Sequence, residues 1–212
     1  MSLAHVLTLA DGRFPSGGHA HSGGLEAAVV RQRVGDLDDL RGFLEGRLAT
    51  TGLVTASFAA AACGGADVSV LENALAARTP SQALRSASAK QGRALCRAAS
   101  VIWPSFSAGP LSYPVALGAV AAAAGLTPFE AATVACHATV SGPASAAVRL
   151  LGLDPFQVYA VIAALADDCD AVAARAVEFA RGPVDDLPAA SAPLLDASAE
   201  DHAGWEVRLF AS

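Results

Sequence analysis

Charge is what this sequence has least of. Charged residues make up 16% of its 212 residues, against a usual ~25%. Lysine occurs once, at Lys90, and the 14 basic residues are scattered, with no run that could track a phosphate backbone. Together with a net charge of −6, this excludes nucleic acid as a partner. The four cysteines, Cys63, Cys96, Cys136 and Cys169, form no C-x-x-C pair and have no zinc-ligand spacing. They read as separate buried thiols in a reducing compartment. Met1-Ser2-Leu3-Ala4-His5 lacks the basic start and apolar stretch of a signal peptide. The uncharged run from Ala131 to Val148 is interrupted by His137, Ser141, Gly142 and Pro143, which makes it a poor bilayer span. These absences predict a cytoplasmic chain without a membrane partner. No stretch alternates apolar and polar residues, so no strand is expected, and no repeat or internal linker divides the chain.

What fills the space is alanine, roughly a quarter of the chain and far above its usual share. Alanine is the best helix former and buries little area per residue. The composition therefore predicts an all-α, single-domain helical bundle of about 8–10 closely packed helices, with residues 1–212 as one domain and 182–212 as a loop and C-terminal extension. Low charge has two readings that both stay open. Another subunit covers part of the surface, since interface cores are depleted in charge, or alanine merely inflates the apolar count.

Helix boundaries are written into the chain. Thr79-Pro80-Ser81-Gln82, Thr127-Pro128-Phe129-Glu130 and Asp154-Pro155-Phe156-Gln157 each place a capping oxygen, then proline, then Gln or Glu three residues after the cap. The spacing predicts helices from Ser22 to about Val34, from Asp36 to about Cys63 and from Val68 to Arg78. Others are expected from Thr79 to Trp103, from Pro114 to Ala124 and from Thr127 to Leu151, the last kinked near Thr139 by Pro143. After Asp154, Val158, Val161, Ile162, Leu165, Cys169, Val172, Ala173, Ala176 and Phe179 share one face, predicting a single helix that ends at Arg181-Gly182-Pro183. Asp167, Asp168 and Asp170 fall on its solvent side.

Two segments depart from this pattern. Asp11 to Glu26 packs five glycines and two histidines into sixteen residues. It can be read as a structural turn with Ser22 as N-cap, as a metal site from His19 and His21 in a loop, or as an anion site built from glycine N–H groups. It is not a P-loop, because no lysine follows the glycines. His137, alone among alanines and valines, reads as a core histidine. Nothing in the local spacing forms a Ser–His–Asp set or a carboxylate pair. The second segment is the tail from Glu200, which ends with Trp205, Val207, Arg208, Leu209 and Phe210, although chain ends are usually polar and frayed. Trp and Arg are common interface anchors. The tail either orders against a partner or docks on its own domain.

These segments resemble the UreF family of urease accessory proteins. The family's N-terminal pattern is matched by Leu7, Asp11, Pro15, Gly17, His21, Ser22, Gly24, Leu25 and Glu26, with His19 where an aromatic is usual. Its middle Pro-Val-x-x-Gly is Pro114, Val115 and Gly118. Its Ser followed by Ala-x-Arg-Leu is Ser141 with Ala147, Arg149 and Leu150. Its ending is His202, Arg208, Leu209, Phe210 and Ser212. The chain departs again at Leu151-Gly152-Leu153-Asp154, where the family usually has Pro-Leu-Gly-Gln.

The resemblance implies an all-helical, non-catalytic assembly factor. Such proteins are homodimers that bind the accessory protein UreD (also called UreH), recruit the GTPase UreG and deliver nickel to apo-urease. Nickel and GTP then act in the complex, and no cofactor is assigned to this chain. Arg208, Leu209 and Phe210, with His202 and Trp205, are expected to dock the partner. Pro15, Gly17, His19, His21, Ser22 and Glu26 are expected to shape a dimer or metal-passage loop. The competing expectations are a helical metal-dependent enzyme using His19 and His21, or a general helical interaction module.

Overall fold

Local chemistry sets most helix starts in the computed structural model, which describes residues 3–211. Met1, Ser2 and Ser212 lie outside the described residues, and with them the last residue of the C-terminal pattern. Among the described residues the chain forms eleven α-helices and no strand: α1 (Leu3–Ala10), α2 (Leu25–Val30), α3 (Leu37–Arg47), α4 (Leu53–Cys63), α5 (Val68–Ala77), α6 (Gln82–Ile102), α7 (Tyr113–Ala123), α8 (Pro128–Leu151), α9 (Pro155–Ala164), α10 (Ala166–Ala180) and α11 (Pro193–Ala203). None is long and apolar enough to cross a membrane. A π-turn over Leu48–Gly52 joins α3 to α4, so the two read as one long rod, as expected from Asp36 onward.

The capping box at Thr127 is complete. Its hydroxyl accepts from the Glu130 N–H at 3.3 Å, and the Glu130 carboxylate accepts from the Thr127 N–H at 2.7 Å. Asp154 accepts from the Phe156 N–H at 3.0 Å. Asp36 caps α3 through the Asp39 N–H.

Four boundaries differ from expectation. α2 starts at Leu25, not Ser22, because Gly23 (φ +62°) and Gly24 (φ +90°) take left-handed turns first. Ser22 still serves the helix, accepting from the Glu26 N–H at 3.2 Å. α2 also ends at Val30, since Gln32 itself turns left-handed (φ +56°). α6 starts after Ser81, not Thr79. The Ser81 hydroxyl accepts from Leu84 N–H, and Glu200 of α11 accepts from Ser81 Oγ and the Ala83 N–H, while the Thr79 hydroxyl turns back to the Leu75 carbonyl. The helix expected after Asp154 is two helices, broken at Leu165 (φ −92°, ψ 5°). The break lets α9 lie on α8 and α3 while α10 turns in against α4.

α4 is the hub. Its residues from Leu53 to Ala62 are buried except Thr55, as a helix apolar all round should be. α7, α8 and α10 enclose it, α6 covers α7, and α1, α2, α3 and α9 pack on α8. Small residues allow these close approaches. A Cβ at Gly118 of α7 would stand 2.2 Å from the Ala59 carbonyl oxygen of α4, and one at Gly92 of α6 would stand 2.0 Å from the Leu111 carbonyl oxygen. Cys96, Cys136 and Cys169 are buried, Cys63 is half-buried, and all four are free thiols. Helix α8 runs on through Pro143. The extension after 182 closes the molecule, with α11 resting on α6 and α2 and Leu187 buried in the core.

Candidate functional site: a buried carboxylate that fastens the chain's end

The two unusual segments of the sequence meet. Left-handed turns at Gly17, Gly23 and Gly24 fold the loop before α2, and the first turn of α2 carries Glu26 into the interior. Glu26 is 4% exposed and His202, from the last turn of α11, is 3% exposed. His202 Nε2 lies 2.8 Å from Glu26 Oε2. The same carboxylate accepts the Leu209 N–H on Oε1 at 2.7 Å and the Phe210 N–H on Oε2 at 3.1 Å. An ionised carboxylate only accepts, and the Nε2–H tautomer of His202 is the one that matches it.

Further contacts complete the clasp. The Ala211 N–H donates to the Ala20 carbonyl at 2.7 Å. Phe210 is buried in the core, and the Arg149 guanidinium lies over its ring, 4.7 Å from the centroid. Arg149 Nη2 also donates to the His19 carbonyl at 3.3 Å. Arg31 pairs with Asp201, and the Trp205 ring tilts over His202 at 4.8 Å while its Nε1–H donates to Asp201.

The structure thus divides the tail residues. His202 and Phe210 are interior groups of this chain's own fold. Trp205 is half-buried, Arg208 is exposed, and Val207 and Leu209 are 84% and 72% exposed. The backbone docks on its own domain, and the intervening side chains face outward. In the loop, Ser22 and Glu26 are buried, Gly17 and His21 are half-buried, and Pro15 and His19 are exposed. Arg149 is the group that sequence reasoning placed in a pattern without a role. Its position in the Ala-x-Arg-Leu stretch was the available signal.

Alongside the loop opens a cleft of about 750 Å³, whose lining includes His19, His21, Arg47, His137 and Arg149. Burial, with His19 and Lys90 nearby, pushes the His21 pKa below its ordinary value, and burial does the same to His137. Among the described residues no group of three or more His, Cys, Asp or Glu side chains could hold a metal ion, so His19 and His21 find no third ligand there.

The family model for UreF matches residues 34–166. The chain is 46% identical over 216 residues to the urease accessory protein UreF of Mycobacterium sp. (strain JLS), covering 100% of this chain and 99% of that protein. It is 44% identical over 219 residues to the urease accessory protein UreF of Mycolicibacterium vanbaalenii, with 100% and 99% covered. The protein of the same name from Mycobacterium tuberculosis (strain H37Rv) is 42% identical over 206 residues, with 95% and 94% covered.

Proposed function

The chain belongs to the UreF family of urease accessory proteins, and from that premise we propose that it is a urease maturation scaffold rather than a catalyst. In this reading it bridges the accessory protein UreD/UreH and the GTPase UreG, as a cytoplasmic homodimer, while nickel is passed to apo-urease. Nickel is cargo, and GTP belongs to the GTPase.

The observation that carries the proposal is the presentation of the chain's end. Glu26 grips the tail by its backbone N–H groups, which fixes the segment and frees its side chains. Arg208 and Leu209 stand outward beside Trp205, a cation and apolar groups of the kinds that anchor interfaces. A prearranged segment loses less conformational entropy on docking than a frayed one. Exposed apolar side chains elsewhere, Leu3 and Leu7 on α1 and Phe156 and Tyr159 on α9, leave surface for a second copy of the chain to cover.

Co-purification with UreD/UreH tests the reading. Arg208→Ala is expected to keep helicity and dimerisation and to lower the yield of complex. An unchanged yield would refute the assignment of Arg208.

A further inference from the structure

The charges of this chain are unevenly placed. Residues 73–129 hold five basic residues, Arg78, Arg85, Lys90, Arg93 and Arg97, and no acidic one, on a chain of net charge −6. Four of the five lie on α6, which carries no carboxylate along its whole length. Two of the five are engaged by the fold itself. Arg78 donates to the carbonyls of Ala74, Asp185 and Leu187, and Arg85 to those of Thr79 and Pro80. Lys90, Arg93 and Arg97 are exposed. The ion pairs among the described residues are Arg13–Asp11, Arg31–Asp201 and His202–Glu26, and none of them involves these three cations. Spacings of three and four residues put all three on one helix face, within about 10 Å along the axis.

Like charges at this spacing repel one another and weaken a helix. Exposed arginines elsewhere are relieved locally. Arg13 pairs with Asp11 and Arg31 with Asp201. Arg41 has Asp38 three residues before it and Glu45 four after, and Arg175 has Glu178 three after. The carboxylates that come close to α6 are engaged: Glu200 and Asp196 of α11 at its first turn, with Ser81 and the Ala83 N–H, and Glu72 with the Ser112 N–H and hydroxyl. The helix beneath the three cations is firmly held. A Cβ at Gly92 would stand 2.0 Å from the Leu111 carbonyl oxygen, and Trp103, just past the helix end, is buried with its ring stacked on Phe14 at 6.3 Å. One turn beyond Arg97 on the same face stands Val101, an apolar side chain that is 81% exposed.

We infer that this face of α6 is a docking surface for an acidic protein segment, with carboxylates at helical spacing opposite Lys90, Arg93 and Arg97 and an apolar group against Val101. Charge complementarity selects the sign of the partner. The exposed guanidinium groups of Arg93 and Arg97 take carboxylates in two-pronged fashion. Because the helix is fixed by its packing, the cations are presented at set distances and lose little freedom on docking. A nucleic acid fits this face worse. Its phosphates run on past three cations, and the chain's net negative charge repels what lies beyond them. The inference rests on α6 alone, is separate from the clasped tail, and stands whether or not the chain bridges other accessory proteins.

The test is a titration of the 15N-labelled full chain, at low salt, with a synthetic helical peptide carrying glutamate at three- and four-residue spacing and one leucine a turn beyond. The same peptide with glutamine for glutamate is the control, and a single-stranded oligonucleotide of equal charge is the rival ligand. The α6 amide and arginine Nε–Hε resonances are expected to move saturably with the glutamate peptide, not with the glutamine peptide, and the binding to weaken as salt rises. The double variant Arg93→Gln, Arg97→Gln is expected to bind about 10-fold more weakly. Its melting temperature should stay level or rise, because the repulsion along α6 is gone, whereas a merely structural role for these arginines would lower it. Shifts spread over arginines elsewhere in the chain, an oligonucleotide bound as tightly as the peptide, or undiminished binding by the folded double variant would each overturn the surface. Should the double variant not fold, the location, saturation and peptide selectivity of the wild-type shifts decide alone.

Discussion

Glu26 and His202 are 176 residues apart in the chain, and their side chains meet at 2.8 Å in a pocket that leaves each under 5% exposed. A carboxylate is seldom buried without compensation, and this one has three donors: an imidazole and two backbone N–H groups. Removing it would strand all three. A buried polar group left unpaired costs about 1–3 kcal/mol, more than a short terminal segment can sustain in its docked position.

Glu26→Ala is therefore expected to release residues 205–211 while the helical bundle persists. Hydrogen exchange at the Leu209 and Phe210 amides should accelerate by orders of magnitude. Trp205 emission should move to the red, because its ring loses the support of a fixed His202, and buried Trp103 should not change. Protected Leu209 and Phe210 amides in a folded Glu26→Ala protein would show that other contacts hold the tail.

Gly118→Ala tests the core at the closest approach of α7 and α4. The added methyl lands 2.2 Å from the Ala59 carbonyl and 2.6 Å from the Ala62 Cβ, neither of which can rotate away. Overpacking of this kind destabilises by about 1–3 kcal/mol or more. Denaturant unfolding of the variant should show a lower midpoint with an unchanged slope.

Acidification should weaken the fold before the carboxylates titrate. His21 and His137 have folded-state pKa values held below the ordinary 6.5, chiefly by burial. Above that pH both states are neutral at these positions. Below it the unfolded chain takes up protons that the folded chain resists, so stability falls as pH drops from about 6.5. Melting temperature should fall as the pH is lowered through this range. Replacing both residues by glutamine should flatten the slope.

The thiols should be inert in the folded protein. Burial, with neighbouring Cys169 and Asp170, pushes Cys136 up to about 12, and burial chiefly pushes Cys63 and Cys169 up to about 11. Only the thiolate reacts readily. A thiol-specific reagent at pH 8 should label these three in denaturant and leave them unmodified in the native state.

Local signals read truly where one short segment holds both partners. The box at Thr127 and the caps at Asp154 and Asp36 were legible for that reason. Thr79 carried the same pattern, yet α6 begins after Ser81, because Glu200 arrives from 119 residues away to cap that turn. The apolar stripe through Leu165 continues across the break between α9 and α10, so periodicity alone showed one helix. The break belongs to packing on α4 and α8. The glycine loop and the apolar tail stood out by composition, but their meeting at Glu26 did not, since nothing local links positions 26, 202, 209 and 210. Of the two readings of the tail, docking on its own domain describes the backbone, while Arg208 and Leu209 face outward.

The central claim, that the chain is an assembly scaffold presenting its clasped end to a partner, is tested most directly by light scattering coupled to size exclusion. The chain would be run alone, with UreD/UreH, and with UreD/UreH plus UreG and GTP, beside the double variant Arg208→Ala, Leu209→Ala. The account predicts that the wild type grows stepwise into one larger species. The double variant should keep its own mass and helicity but stay out of that species. A wild-type chain whose mass is indifferent to both partners, or a double variant that assembles equally well, would contradict it.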